Sequence, residues 1–372
     1  MQVFRGFKNA HNALPRACAV TIGNFDGVHR GHQAMIALLK SEAAHRGLPS
    51  CVMTFEPHPR DYFAALGASA GQTAPTLSAV ESAPSAQAAA GSLRPAPARV
   101  ATLRDKLTEL ARCGIDQVVV LPFNAALASM SADDFVSRVL VQGLGAKYVL
   151  VGDDFRFGAK RLGDYAMLDK AGETAGFDVA RMQSYEVHGL RVSSSAVRLA
   201  LHQGQMNAAA KLLGRPYSIS GHVVHGRKLG RELGKTDATP MGFRTLNLRF
   251  SSRAHRWLPA ASGIFAVLVH GLGELSDPPV QGVANLGIRP SLDPTDVNGG
   301  RVLLETHCLD WSARWDAEHG YGKIIRVELL HKLHDELKYD GLDALTTGIA
   351  RDCADARAFF TAQPQDTYIT RI

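Results

Sequence analysis

The chain has 372 residues, 46% hydrophobic and 20% charged, with a formal charge of +6 and a pI near 9.1. Such a length suggests two or three domains, and such a composition is that of an ordinary globular protein with ample core. The positive charge suits anionic small molecules. Lys and Arg are dispersed, with no basic stripe interleaved with aromatics, which argues against nucleic acid as a partner. No apolar run approaches the roughly 18 residues of a spanning helix, and Arg5 and Lys8 precede no signal-like apolar segment, so neither membrane association nor secretion is expected. The cysteines, Cys18, Cys51, Cys113, Cys308 and Cys353, are odd in number and contain no CxxC. They read as free thiols in a reducing cytoplasm.

The apolar run Ala17–Ile22 reads as a buried strand, and Gly23, Gly27 and Gly31 break it. An amphipathic helix pattern follows over Gln33–Arg46. Strand, glycine turn and helix start together make an anion site, because free N–H groups and the helix dipole both favour negative charge there. Gly23, Asn24, Phe25, Asp26 and Gly31 form the candidate phosphate loop, and His29 and His32 add two donors. The His-x-Gly-His pattern resembles the nucleotidylyltransferase superfamily, whose histidines steady the phosphates of a nucleoside triphosphate during attack on its α-phosphorus.

Further strand-like runs at Ser50–Phe55, Asp116–Leu121 and Tyr148–Val151 alternate with helix-like runs at Leu103–Cys113, Ala132–Val141 and Ser194–His202. The alternation predicts a doubly wound parallel α/β sheet, with ligands at the carboxyl ends of its strands. Three segments fit that rule. Phe55-Glu56-Pro57-His58-Pro59-Arg60 follows the second strand, its loop stiffened by prolines. Gly152-Asp153-Asp154-Phe155-Arg156-Phe157-Gly158 supplies aromatics and an arginine that could flank a planar ring. Ser193, Ser194 and Ser195 open a helix one turn before Arg198. One serine is accounted for by capping, and the rest suit a second phosphate site. Residues 67–98 are mostly Ala, Ser, Pro, Gly and Gln, with one acid (Glu81) and one base (Arg94). They read as a flexible insertion.

Beyond the short helix Met206–Leu213 the pattern changes. Short strand-like runs at Tyr217–His225, Arg244–Phe250, Gly263–His270, Val280–Asn285, Val302–Cys308 and Lys323–Leu330 are separated by glycine and proline turns. They predict an antiparallel barrel, with helical spacing returning over Gly341–Thr361. Gly221, Gly226, Gly230 and Arg231 lie in a glycine-rich basic stretch suited to phosphate. Thr245 and Asn247, at i and i+2, share one face of a strand. Their oxygens suit Mg²⁺, which binds few protein groups besides water and substrate phosphates. His331 and His334 form an HxxH with no third ligand, and read as ordinary polar residues.

GNFDGVHRGH, FEPHPR, GDDFRFG and VSSSAVR together resemble the FAD synthetase module of bacterial bifunctional riboflavin kinase/FAD synthetases. The strings around Thr245, Asn285-Leu286-Gly287-Ile288-Arg289-Pro290, Glu305 and Lys338-Tyr339-Asp340-Gly341-Leu342 resemble the riboflavin kinase module of the same enzymes. The resemblance implies Glu305 as catalytic residue and Thr245 and Asn247 as Mg²⁺ holders. It also implies flavin contacts from Phe55, Pro57, His58, Pro59, Asp154, Phe155, Arg156, Phe157, Asn285 and Arg289. Residues 1–203 would make FAD from ATP and FMN; residues 204–216 would be a linker; residues 217–372 would make FMN from ATP and riboflavin. The family pattern Leu-Gly-Phe-Pro-Thr-Ala-Asn is broken here by Lys235–Met241, and Arg244 replaces the proline. Two other readings stay open on sequence alone: a nucleotidylyltransferase of another substrate class, and a non-enzymatic flavin sensor or nucleic-acid-binding protein. Nothing in the sequence sets an oligomeric state.

Overall fold

A computed structural model describes residues 1–7, 17–69, 98–187, 189–225, 242–250, 258–274, 276–289, 301–312, 314–316 and 318–362. The chain divides into two compact units. One comprises Met1–Pro97 and Lys106–Arg191, the other Ala98–Asp105 and Val192–Ile372. All five cysteines are free.

The first unit contains β1 (Gln2–Arg5), β2 (Cys18–Ile22), α1 (Arg30–His45), β3 (Ser50–Glu56), α2 (Pro59–Ser69), part of α3 (Leu103–Arg112) and β4 (Gln117–Pro122). It continues through α4 (Ala125–Ala128), α5 (Ala132–Asp134), β5 (Ala146–Gly152), α6 (Tyr165–Ala175), β6 (Asp178–Met182) and the small pair β7 (Glu186–Val187) and β8 (Leu190–Arg191). Six parallel strands lie in the order β1-β4-β3-β2-β5-β6. Every residue of β2 is buried, as a strand covered on both faces requires. The expected helix over Ala132–Val141 is α only in its first turn. From Phe135 to Gly143 it is a π-helix, still burying Phe135, Val136, Val139 and Leu140.

The order decides where ligands go. From β2 the chain winds outward to β3 and β4, then returns to place β5 on the other side of β2. The reversal between β2 and β5 is the topological switch point, whose crevice lies at the carboxyl ends of the strands.

The second unit holds α7 (Ser194–His202), α8 (Met206–Leu213), β9 (Tyr217–Val224), β10 (Thr245–Arg249), β11 (Gly263–His270), β12 (Val280–Arg289), β13 (Arg301–Cys308), β14 (Ile324–His334) and α9 (Leu342–Ala362). The strands close a barrel in the order β10-β13-β12-β11-β14-β9, antiparallel throughout. Leu246, Leu248, Phe265, Val267, Ala284, Leu286, Leu304, Val327 and Leu329 belong to its buried core. The neighbours of these residues along each strand face outward. Part of that outer face, Ile264, Ala266, Leu268, Val283 and Leu330, is buried with Ala356 and Phe360 of α9.

The described residues differ from the expected organisation at three places. Residues 204–216 are more than a connection, because Met206, Ala209 and Leu213 of α8 are buried in the barrel's core cluster. Of the expected insertion 67–98, residues 67–69 complete α2. Its remainder, 70–97, lies outside the described residues. The serine-bearing helix α7, expected with residues 1–203, groups with the second unit.

Candidate functional sites

Because β3, β2 and β5 are neighbours, the segments that follow them meet at one edge of the sheet. These are FEPHPR after β3, the HxGH loop after β2 and GDDFRFG after β5. The loop from Gly23 to His29 is held in an unusual conformation. Phe25, Gly27 and Val28 have φ of 48°, 87° and 43°, and a non-glycine residue in that region costs on the order of 1–3 kcal/mol. Burial of Phe25 and Val28 at 1% and 0% exposure fixes it. So do three hydrogen bonds: Val28 N–H to the Phe25 carbonyl at 3.3 Å, Gln33 Nε2 to the Val28 carbonyl at 2.9 Å, and Thr54 Oγ1 to the Asn24 carbonyl at 3.2 Å. The loop is therefore shaped by the protein rather than by a ligand.

His29 caps α1, its Nδ1 accepting from the His32 amide at 3.3 Å. The two imidazoles stack, with centroids 3.6 Å apart, and Phe25 lies 4.9 Å from His32. Burial, then the neighbouring charges of His29 and Lys106, holds His32 well below the ordinary histidine range. It is a neutral donor–acceptor at pH 7. His32 Nδ1 and Asn24 Oδ1 are buried without a hydrogen-bond partner among the described residues, as polar groups awaiting a ligand would be. Asp26, 2% exposed, sits in the same loop.

Lys106 belongs to this site and was missed in the sequence. It is fully buried, and its Nζ donates to Thr54 Oγ1 at 3.2 Å, the hydroxyl that holds the loop. A signal existed: Lys106 lies four residues before buried Leu110, on the inward face of α3, where a lysine is rare without a partner.

The flanking segments divide into ligand-facing and structural residues. His58, 4% exposed, accepts from the Arg60 amide at 3.1 Å at the start of α2. Phe55 joins Tyr62, Phe63 and Phe123 in an edge-to-face aromatic cluster. Phe157 is a core residue, 6% exposed and packed against Phe135; Phe155 stacks on it from a half-buried position. Arg156 pairs with Asp164 at 2.9 Å, whose carboxylate caps α6. Asp154 is exposed. In the second unit, Ser193 caps α7, accepting from the Ala196 amide at 3.2 Å. Arg198 donates to Ser195 Oγ at 3.4 Å.

On the barrel, one cross-strand row carries the chemistry. Glu305 of β13 is paired with Asn247 of β10 on one side and with Asn285 of β12 on the other. Residues directly opposite in a ladder share a face, and their neighbours Leu246, Leu248, Leu304, Ala284 and Leu286 point inward. The row therefore stands on the outer surface of the barrel. Asn247 is 5% exposed, and Asn285 Oδ1 is buried with no partner among the described residues. Thr245 is opposite His307 in the next row on the same face. Glu305 is not on an edge strand, because β13 lies between β10 and β12 in a closed barrel. Gly221 lies within β9, paired with Ile325. Gly226, Gly230, Arg231 and the side chain of Arg289 lie outside the described residues.

A parallel sheet with HxGH at its switch point, joined in one chain to a barrel with an outward acid–amide row, defines an enzyme with two nucleotide-dependent transfer activities. The comparisons agree. The FAD synthetase family model matches residues 11–196 and the riboflavin kinase model residues 213–360. The bifunctional riboflavin kinase/FMN adenylyltransferase of Escherichia coli K12 is 41% identical over 360 residues, 97% of this chain and 98% of that one. The enzyme of the same description from Haemophilus influenzae is 38% identical over 97% of this chain and 100% of its own. A solved chain described as a macrolide-efflux protein from Streptococcus pneumoniae covers 96% of this chain and 99% of its own, with a TM-score of 0.66 at 24% identity. That likeness is one of fold alone. The chain belongs to the bifunctional riboflavin kinase/FMN adenylyltransferase family. No helix among the described residues is long and apolar enough to cross a membrane.

Proposed function

We propose that the Asn247–Glu305–Asn285 row carries phosphorylation of riboflavin, and that the HxGH loop carries adenylylation of the FMN produced. The observation behind the first half is the pairing of one acid with two amides on a single outer face. Glu305 orients the ribityl 5′-hydroxyl of riboflavin and accepts its proton as the oxygen attacks the γ-phosphorus of ATP, with ADP leaving. Thr245 and Asn247 offer hard oxygen donors on that face and fit a divalent cation, which we take to be Mg²⁺. When bound, that cation neutralises phosphate charge. Asn285, whose Oδ1 has no partner among the described residues, meets polar groups of the flavin, and Arg289 belongs to the same strand.

In the first unit, a phosphate oxygen of FMN attacks the α-phosphorus of a second ATP, giving FAD and pyrophosphate. No protein nucleophile is needed. Neutral His32, His29 and the start of α1 hold the phosphates, and a preformed loop lowers the barrier by positioning and by fixed dipoles. Phe55, Pro57, Pro59, Asp154 and Phe155, at the ends of β3 and β5, are the flavin side of this site. Ser194, Ser195 and Arg198 offer a further anion site at the start of α7. Free thiols and the ATP requirement fit a cytoplasmic enzyme.

The test is purified protein with riboflavin and ATP, with and without Mg²⁺, resolving FMN and FAD by chromatography. Both products should form only with the cation. Absence of FMN with the cation present would overturn the kinase assignment.

A further inference from the structure

We propose that Arg244 is the positioning residue of the strand that bears Thr245 and Asn247. The inference rests on the reading of those two residues as cation holders. Arg244 immediately precedes β10 and is 5% exposed. Its guanidinium donates through Nη1 to the Asp316 carbonyl at 3.1 Å and through Nη2 to the His319 carbonyl at 2.7 Å. The same group lies 4.1 Å from the ring centre of Trp311 and 5.3 Å from that of Tyr321. A planar fork can meet two carbonyls at its edge while its faces meet aromatic rings; an ammonium cannot.

The main chain of Arg244 is held as well. His307 Nδ1 lies 2.8 Å from the Arg244 carbonyl. A carbonyl only accepts, so Nδ1 carries the proton and donates. His307 is the ladder partner of Thr245, and Phe243 packs edge-on against its ring at 5.7 Å. Arg244 is thus fixed through both its side chain and its backbone, one residue before Thr245.

Burying a guanidinium is costly, and the carbonyls of Asp316 and His319 offset that cost at Nη1 and Nη2, so these partners and the arginine form a set. Hydrogen bonds and ring contacts therefore fix the entrance of this strand. What they position is the direction in which Thr245 and Asn247 present their oxygens. Groups that orient metal ligands are worth roughly 10–100-fold in metal affinity.

The experiment compares full-length wild type, Arg244→Lys, Arg244→Ala and Thr245→Val. It measures the half-saturating Mg²⁺ concentration and kcat for riboflavin phosphorylation, with adenylylation of supplied FMN as a control. Arg244→Ala should raise the Mg²⁺ requirement by about 10-fold or more, with a smaller fall in kcat at saturating Mg²⁺. Arg244→Lys should not restore the wild-type requirement, because it keeps the charge and loses the fork. Adenylylation should stay within about twofold of wild type. If Arg244→Ala is insoluble, Arg244→Lys decides alone by the same criterion. An unchanged Mg²⁺ requirement in the arginine variants, with Thr245→Val raised, overturns the positioning role and leaves the cation reading standing. An unchanged requirement in Thr245→Val overturns the cation reading and this proposal with it.

Discussion

Glu305 stands directly across the β10–β13 ladder from Asn247, so the acid assigned to the flavin hydroxyl and an amide assigned to the cation share one outer face of the barrel. Glu305→Gln keeps size and much of the hydrogen bonding but cannot accept the proton. It should lower FMN formation by roughly 10²-fold, the scale of a general base, with the Mg²⁺ requirement nearly unchanged. Steady-state kinetics at several Mg²⁺ concentrations checks this. A variant limited only in Mg²⁺ affinity would place Glu305 among the cation's ligands instead.

His32 supplies a pH signature. Its imidazole is held well below the ordinary value of 6.5, first by burial and then by the charges of His29 and Lys106. As pH falls through 6.5 the unfolded chain takes up a proton there and the folded chain does not, so stability is lost on that side. Thermal midpoints measured from pH 7 to 5 should therefore fall more steeply for wild type than for His32→Ala. Parallel curves would mean that His32 titrates normally in the folded protein.

His334 has the opposite sign. Burial pulls its pKa down, but the hydrogen bond to Asp352 at 2.8 Å and the Asp335 carbonyl outweigh that and raise it. The pair ties β14 to α9. Its contribution is fully present below the unfolded value near 6.5 and is lost as pH rises through the raised value. The stability difference between wild type and Asp352→Asn should be largest near pH 6 and should shrink by pH 8.5. A difference that is constant with pH would contradict the ion pair.

Residues 70–97 contain no aromatic residue, one acid and one base. A chain of that composition has little apolar surface to bury. Replacing them by a short Gly/Ser linker should leave both activities near wild type in a coupled assay. Loss of FAD formation would assign the segment a part in the first site.

The legible parts of this molecule are those whose signal is local. The strands β2 to β5 are apolar runs because both faces of the sheet are covered. The HxGH loop announces itself by glycines between a strand and a helix. The edge strands escaped notice for the same physical reason: β1 buries only Phe4, and β6 buries none of its residues fully. Helix α2 was hidden by the prolines of FEPHPR, although Pro59 occupies the first helical position, where proline costs little. Lys106 and Arg244 draw their roles from partners far along the chain, Thr54 for one and Asp316 and His319 for the other. Spacing marks Lys106 as inward, four residues before Leu110, but it does not identify partners so far along the chain. The serines of α7 show a related limit: their pattern suggests an anion site, but capping accounts for Ser193 directly.

The central claim is that two chemistries are carried by two separate sets of residues in one chain. The most direct measurement is a time course from riboflavin, ATP and Mg²⁺, with FMN and FAD resolved by chromatography, for wild type, His32→Ala and Glu305→Gln. Removing a phosphate donor should slow adenylyl transfer by about 10²–10³, so His32→Ala should convert riboflavin to FMN at the wild-type rate and accumulate it. Glu305→Gln should make little FMN, yet turn supplied FMN into FAD normally. Equal loss of both activities in either variant, with thermal stability unchanged, would contradict the assignment and point to one shared site.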